Sequence, residues 1–208
     1  LIFEKDRSRA IKLAEKEFDL AILDDGFQDY KIQKDLSILC FHNKQLIGNG
    51  YVLPAGPLRE NLNSIKRAQI ALINGEKNLI FEDKLKKINA DIKIFYSRYK
   101  IINLEQFKNK EILAFAGIGN PKNFFDLLIE NGLNVKRSIP YPDHYNYKES
   151  EILEIINQAK EKNYTIVTTE KDLSRIQNFK FSEIHSCNVK LEIENKSHLI
   201  SLAKKIYD

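Results

Sequence analysis

The sequence contains no tryptophan, no methionine and only two cysteines among its 208 residues. Cys40 and Cys187 lie far apart and fit no metal-binding or redox spacing, which predicts two reduced, buried thiols and no disulfide framework. No apolar run approaches the roughly 20 residues that a membrane-spanning helix needs. The net charge of +4 allows an anionic substrate or a membrane surface, but it is too small to predict nucleic acid as a partner. The composition is that of an ordinary globular protein.

The sequence also lacks an initiator methionine and a phosphate-binding loop of the Gly-x-x-x-x-Gly-Lys-Ser/Thr type. It begins at Leu1, already inside a strand-like run. We therefore expect the chain to be a fragment of a longer protein.

Apolar strand-like runs alternate with helical patterns, which is typical of βα units around a parallel sheet. The predicted strands are 1–3, 20–23, 36–41, 70–73, 92–96, 112–116, 135–139, 165–169 and 189–193. The predicted helices are 8–17, 122–131, 148–162 and 197–207. Because the pattern restarts after Asn103, we predict an α/β fold with a mostly parallel core in residues 1–104 and a smaller C-terminal α/β lobe in residues 105–208.

The stretch 18–28 is the most informative, because an apolar run there breaks abruptly into Asp24 and Asp25. An apolar run of this kind predicts a strand buried on both faces of a parallel sheet, and ligands gather at the carboxyl ends of such strands. Acidic residues at that position hold Mg²⁺ in nucleotide-using enzymes. The alternative is a plain Asp-Asp-Gly turn.

The loop 49–60 is stiffened by two prolines and by glycines before it ends in Arg59 and Glu60. A guanidinium suits phosphate oxygens, and a carboxylate completes the oxygen shell of a metal. The alternative is an exposed loop with a surface Arg-Glu pair. We favour the functional interpretation, because rigidly held loops often carry function.

The second half contains a glycine turn at 114–121 and a histidine, His144, in a proline-containing turn. The glycine turn lacks the third glycine of a dinucleotide-binding fingerprint, so it predicts only a tight turn near a ligand. His144 is the best acid/base candidate among the four histidines, because it lies in a loop beside a carboxylate. The alternative is a solvated surface histidine.

The segment 168–175 joins the end of a predicted strand to the start of a helix. Thr169 and Asp172 form a capping arrangement, which is a sufficient structural explanation for these two residues. Lys171 and Arg175 are left as possible phosphate contacts.

Five motifs occur in one order: DDGFQ, LPAGPLRE, AFAGIGNP, PDHY and TTEKD. Together they closely resemble the tetraacyldisaccharide 4'-kinase (lipid A 4'-kinase) family of Gram-negative bacteria, from about Lys5 to the end of the chain. The resemblance implies a P-loop kinase that moves the γ-phosphate of ATP, with Mg²⁺, to the 4'-hydroxyl of a tetraacyldisaccharide 1-phosphate lipid. It also implies a P-loop-kinase-like core, a smaller C-terminal lobe and a peripheral position at the cytoplasmic face of the inner membrane.

The resemblance also implies roles for single residues. The implied metal ligands are Asp24, Asp25, Gln28 and Glu60. Arg59 is implied to lie beside the phosphates, and His144 to work with an upstream aspartate in activating the sugar hydroxyl. We take Asp25 and His144 as the catalytic residues and expect them to meet around one magnesium-nucleotide pocket.

The family's phosphate loop, the aspartate partner of the histidine and the membrane-docking helix are implied to lie upstream of Leu1. We therefore expect the fragment alone to be inactive. Asp29 departs from the family pattern, since many members have histidine there. Two other functions stay open: a nucleotide-sugar glycosyltransferase and a non-catalytic anion-binding module.

Overall fold

A computed structural model describes residues 4–205 of the chain. Its α-helices are α1 (Arg7–Ala14), α2 (Leu79–Ile88), α3 (Pro121–Glu130), α4 (Glu149–Lys162), α5 (Glu170–Ile176) and α6 (Lys196–Lys204). Its strands are β1 (Ile38–His42), β2 (Ile70–Asn74), β3 (Lys93–Ile101), β4 (Glu111–Ala116), β5 (Asn134–Pro140), β6 (Thr165–Thr169), β7 (Ile184–Cys187) and β8 (Val189–Ile193). The predicted strand 1–3 and the end of the helix predicted over 197–207 lie outside the described residues.

The strands form two four-stranded sheets, in the orders β1-β2-β3-β8 and β5-β4-β6-β7. Every pair whose register is defined runs parallel, for example Cys40 opposite Leu72 and Leu72 opposite Phe95. The predicted α/β class with a parallel-sheet core is therefore confirmed.

The chain divides into two compact units, and the division falls inside β3 and β8. The first unit comprises Leu1–Arg98 and Ile193–Asp208, and the second comprises Tyr99–Glu192. Strand β8 joins the first sheet beside β3, and the chain then continues into α6. The predicted division into residues 1–104 and 105–208 stays a prediction. The roles of the two units as functional lobes stay a prediction.

The sheet of the second unit is covered on both faces, and β4 shows why. Successive side chains of a strand point to opposite faces. Ile112, Ala114 and Ala116 pack with one cluster that includes residues of α3, whereas Leu113 and Phe115 pack with another that includes residues of α4. This explains why β4 is a continuous apolar run, as expected for a strand buried on both sides.

Helix α2, which the sequence analysis did not predict, covers the sheet of the first unit. Phe81 and Leu85 of this helix belong to the same buried cluster as Ala71 and Ile73 of β2. Asn78 caps its start, because the side-chain oxygen accepts a hydrogen bond from the N–H of Phe81 at 3.0 Å. The short strand β7 was also missed.

The segment 20–23 is not a buried strand, and that prediction is wrong. It has no regular secondary structure, and the exposed fractions of Leu20 and Ile22 are 66% and 87%. A strand requires a neighbour that pairs with its backbone N–H and C=O groups, and no strand within residues 4–205 lies beside this segment. Asp24 and Asp25 therefore follow a largely exposed segment without regular secondary structure.

The two ends of the second unit are hydrogen-bonded to each other. Ile102 donates its N–H to the carbonyl of Asn188 at 2.8 Å. The side chain of Asn103 donates to the carbonyl of Ser186 at 2.8 Å and accepts from the N–H of Asn188 at 2.9 Å. The chain therefore enters and leaves this unit at neighbouring points.

The two cysteines differ in their surroundings. Cys187 is buried as predicted, and burial raises the pKa of its thiol to about 12. Cys40 is exposed, so the prediction that it is buried is wrong. None of the helices within residues 4–205 combines the length and the apolar composition that crossing a bilayer requires.

Candidate functional site

The turn that carries Asp24 and Asp25 is held against α1. Arg7 of α1 donates hydrogen bonds from its guanidinium to the carbonyl of Asp24 at 3.2 Å and to that of Asp25 at 3.5 Å. Asp25 has a φ of +52°, a left-handed conformation in which aspartate and asparagine are enriched among non-glycine residues. Gly26 follows, and a Cβ there would lie 2.6 Å from the Cβ of Leu23. The turn is therefore tight, and its carbonyls are fixed by a cation.

Asp25 and Arg59, both predicted site residues, form an ion pair. The Nη1 of Arg59 lies 2.8 Å and 2.6 Å from the two carboxylate oxygens of Asp25. Both side chains are more than half exposed. The structure therefore brings together the predicted catalytic carboxylate and the predicted phosphate-binding guanidinium at the surface of the first unit.

Glu60 is held by Tyr30 and Arg67, and we call Phe27, Tyr30, Glu60 and Arg67 the Glu60 cluster. The Oε2 atom of Glu60 accepts hydrogen bonds from the Tyr30 hydroxyl at 2.7 Å and from Arg67 Nη2 at 2.8 Å. The guanidinium of Arg67 lies 4.6 Å from the ring centroids of both Phe27 and Tyr30, within cation–π distance. The second oxygen of Glu60, Oε1, is buried without a hydrogen-bond partner.

These contacts change the acidity of Glu60. Burial by itself raises the pKa of this carboxyl, but the hydrogen bonds from Tyr30 and Arg67 outweigh burial and leave the pKa below its ordinary value of 4.5. Gln28, another predicted ligand, lies close enough to contribute to the lowering. Glu60 is therefore a fixed carboxylate at neutral pH.

We expect the Glu60 cluster to make the protein acid-sensitive. A carboxyl whose pKa is depressed by folding contributes stability that is present above its unfolded pKa and is lost as the pH falls through the folded pKa. Urea unfolding at successive pH values below 4.5 should show that the free energy of unfolding falls less with acid in Glu60→Gln than in the unsubstituted chain. Glu161→Gln, an exposed glutamate on α4, is the matched control. Equal acid losses in Glu60→Gln and the unsubstituted chain would contradict this assignment.

The predicted metal ligands fit Mg²⁺ in their chemistry, since carboxylate and amide oxygens are what this ion prefers. The unpartnered Oε1 of Glu60 is consistent with a cation that is to be bound there. However, no three His, Cys, Asp or Glu side chains among residues 4–205 are grouped so that they could hold a metal. The predicted ligand set of Asp24, Asp25, Gln28 and Glu60 therefore stays a prediction.

A second group of predicted residues surrounds a buried carboxylate in the second unit. Asp172 is fully buried at the start of α5. Its Oδ2 accepts hydrogen bonds from the Gly117 N–H at 3.0 Å and the Thr169 hydroxyl at 2.7 Å, and its Oδ1 accepts from Arg175 Nη1 at 2.9 Å. A buried charge is tolerated only when it is paired and hydrogen-bonded in this way. Thr169 also caps the helix, as the sequence predicts.

His144 lies beside this carboxylate network, and we call Gly117, His144, Asp172 and Arg175 the His144 cluster. His144 has a φ of +55°, and its N–H donates to the carbonyl of Gly117 at 3.2 Å. Its Nδ1 lies 3.1 Å from Nη2 of Arg175. The imidazole is 82% exposed, so it is fixed at its base and open to solvent at its edge. It lies by the carboxyl end of β4, where parallel sheets place their ligands.

Gly117 has no room for a side chain. A Cβ there would lie 2.7 Å from the hydroxyl of Tyr147 and 3.1 Å from the Cβ of Tyr145. We expect Gly117→Ala to lower the free energy of unfolding by about 1–3 kcal/mol, because the buried Tyr147 has to move. Gly119→Ala is the control, since its nearest neighbour is the flexible end of Asp143 at 3.3 Å. Equal unfolding free energies of the two variants, measured with urea, would contradict this.

The two remaining predicted phosphate contacts, Lys171 and Arg175, differ in whether their charged groups already bind other residues. Lys171 is exposed and forms no ion pair with any residue between 4 and 205. Arg175 is bound to Asp172, to the carbonyl of Gly117 at 2.8 Å and to His144. Their contact with phosphate stays a prediction, as does the meeting of Asp25 with His144.

The sequence analysis missed the contributions of Arg67 and Asp172. Asp172 was interpreted as a helix cap alone, although an arginine three residues later on the same helix is a recognisable pairing signal. Arg67 gave no such signal. Its partner Tyr30 lies 37 residues away, and only the folded chain brings the two together.

The chain matches known proteins over nearly its whole length. The model of the family LpxK, tetraacyldisaccharide-1-P 4'-kinase, matches residues 1–207. The tetraacyldisaccharide 4'-kinase of Pelagibacter ubique (strain HTCC1062) is 42% identical over 192 residues, which cover 91% of this chain and 61% of the relative. That of Haemophilus influenzae (strain 86-028NP) is 33% identical over 86% of this chain and 52% of the relative.

A solved structure has the same fold. The crystal structure of LpxK from Aquifex aeolicus in complex with ATP aligns with a TM-score of 0.67 and 25% identity, over 97% of this chain and 62% of the other. The chain thus spans about half to three fifths of the length of the relatives it matches. With a family model that matches residues 1–207, the chain belongs to the tetraacyldisaccharide-1-P 4'-kinase family.

Proposed function

We propose that this chain is the part of an ATP-dependent lipid A disaccharide 4'-kinase that carries the Asp25 turn, the Glu60 cluster and the His144 cluster. The proposed reaction transfers the γ-phosphate of ATP to the 4'-hydroxyl of a tetraacyldisaccharide 1-phosphate. The observation that carries the proposal is the family match over residues 1–207. The ATP bound to the Aquifex aeolicus relative supports ATP as the donor. Both findings disfavour the glycosyltransferase alternative, because its donor is a nucleotide sugar.

Phosphoryl transfer requires positioning and charge stabilisation more than covalent chemistry. Asp25, with Asp24, Gln28 and Glu60, would hold Mg²⁺, which when bound neutralises charge on the phosphate oxygens. Arg59 is adjacent to Asp25 and is a fork-shaped donor suited to phosphate oxygens. The carboxylate of Asp25 is thus a proposed ligand of Mg²⁺ and also contacts Arg59, the proposed phosphate-binding residue.

The second unit would supply the groups near the acceptor. His144 is held by Arg175 with its ring edge exposed, which suits a group that meets a substrate. The exposed Lys171 is a candidate phosphate contact. Hinge motion between the units during catalysis is part of the proposal, because the proposed groups belong to both units and have to converge for reaction.

The proposed acceptor is a lipid, so the enzyme has to work at a membrane surface. We propose a peripheral position at the cytoplasmic face of the inner membrane. We further propose that the main membrane contact belongs to the part of the relatives' length that this chain does not span. The mildly basic net charge of +4 is compatible with an anionic surface.

A transfer assay tests the proposal. ATP labelled in the γ-phosphate is incubated with tetraacyldisaccharide 1-phosphate and either the 208-residue chain or a full-length protein that contains it. We expect label in the lipid and release of ADP with the full-length protein only. Absence of transfer by the full-length protein would refute the kinase assignment, and transfer by the 208-residue chain would refute the need for further sequence.

A further inference from the structure

The two ring nitrogens of His144 face groups of opposite charge. Nδ1 lies 3.1 Å from Nη2 of Arg175, and Nε2 lies 3.9 Å from a carboxylate oxygen of Asp143. A guanidinium can only donate hydrogen bonds, so Nδ1 has to accept and therefore carries no proton. In a neutral imidazole the proton then lies on Nε2, on the side of Asp143.

The orientation of Arg175 is fixed from the core outward. Asp172, fully buried, is held by the N–H of Gly117 and the hydroxyl of Thr169. Nη1 of Arg175 donates to Asp172 at 2.9 Å and to the carbonyl of Gly117 at 2.8 Å. With Nη1 occupied by these two acceptors, Nη2 is left to meet the imidazole. Nη1 therefore anchors the Arg175 side chain, whereas Nη2 contacts His144.

We propose that Arg175 is a positioning residue that keeps His144 in its Nε2–H tautomer, with the buried Asp172 keeping Arg175 in place. In this state His144 offers an N–H donor to an oxygen of a bound phosphate or of the acceptor. It does not offer a lone pair at Nε2 that could remove the hydroxyl proton. This replaces the acid/base role expected for His144 with that of a hydrogen-bond donor. That His144 donates to a phosphate or to the acceptor rests on the proposed function, whereas the assignment of its Nε2–H tautomer does not.

Arg175→Lys separates the two tasks of the guanidinium. A single ammonium nitrogen in the place of Nη1 keeps the charge next to Asp172, so the fold is retained, but no second nitrogen is left for His144. Long-range proton–nitrogen spectra of the histidine-labelled 208-residue chain report the tautomer directly. They are recorded about two pH units above the ordinary histidine pKa of roughly 6.5, so that the rings are neutral.

In the unsubstituted chain we expect the chemical shifts of the two ring nitrogens of His144 to be widely separated, as in a pure Nε2–H tautomer. In Arg175→Lys the difference between the two chemical shifts should decrease to that of a solvated histidine that exchanges between tautomers. His42, His185 and His198 serve as internal references, and their signals should not change. Arg137→Lys, an exposed arginine on β5, is the matched control.

An averaged or Nδ1–H pattern for His144 in the unsubstituted chain would overturn the proposal, and this result does not require any variant to fold. An unchanged His144 pattern in folded Arg175→Lys would also overturn it. The measurement uses neither nucleotide nor lipid. Its failure is therefore distinguishable from failure of the transfer assay, which tests the kinase assignment alone.

Discussion

Replacing Asp25 by asparagine in a full-length protein that contains this chain is expected to lower kcat for phosphoryl transfer by about 10²–10³-fold, the usual effect of removing one electrostatic stabiliser of a transition state. The fold should tolerate the change. Asn accepts the left-handed conformation with φ of +52° as readily as Asp does, and the side chain is 61% exposed. The melting temperature should therefore stay close to that of the unsubstituted protein.

Steady-state kinetics and a thermal melt of the same preparation check this expectation. Asp19→Asn, an exposed aspartate just before the turn, is the matched control and should leave both quantities unchanged. If Asp25→Asn keeps its turnover, the carboxylate is a turn residue. The interpretation of the chain as a non-catalytic anion-binding module would then regain support.

Replacing Asp172 by alanine is expected to lower the free energy of unfolding of the second unit by about 3–5 kcal/mol, the usual cost of removing one partner of a buried ion pair. The variant leaves the Gly117 N–H without its acceptor and the Arg175 guanidinium without its carboxylate partner. Gly117 is buried and Arg175 is partly buried, so water replaces the lost hydrogen bonds poorly.

Urea unfolding followed by the signals of residues in the second unit measures this loss. Asp143→Ala is the control, because Asp143 is exposed and its removal should change the free energy of unfolding by less than about 0.5 kcal/mol. Comparable losses in the two variants would show that Asp172 is not the buried anchor that its contacts describe.

Much of the second unit was predictable from local pattern. The strand β4 is a continuous apolar run, and α3 and α4 carry apolar residues at helical spacing, so their boundaries were predicted to within one or two residues. The first unit was harder. The segment 20–23 has the same composition as a buried strand, but composition does not reveal whether a neighbouring strand exists. Helix α2 was missed, although Asn78 provides a capping signal at its start.

The candidate site was predictable residue by residue but not contact by contact. Local sequence identified Asp25 and Arg59 as candidate site residues, yet only the fold reveals that they pair with each other across 34 positions. The contact between Arg175 and His144 spans 31 positions and was likewise out of reach. Sequence patterns describe a residue's own turn or helix face, whereas hydrogen bonds between loops depend on how sheets order their strands.

The hydrogen bonds that join Ile102 and Asn103 to the segment 186–188 have a consequence for how such a protein is assembled and altered. A module whose entry and exit points are neighbours behaves as an insertion in its host, and such insertions are tolerated because the host chain needs no long detour. Residues 99–192 can thus be exchanged between homologues as one continuous segment with two junctions. Hybrids built at these junctions would inherit the histidine from one parent and the paired aspartates from the other.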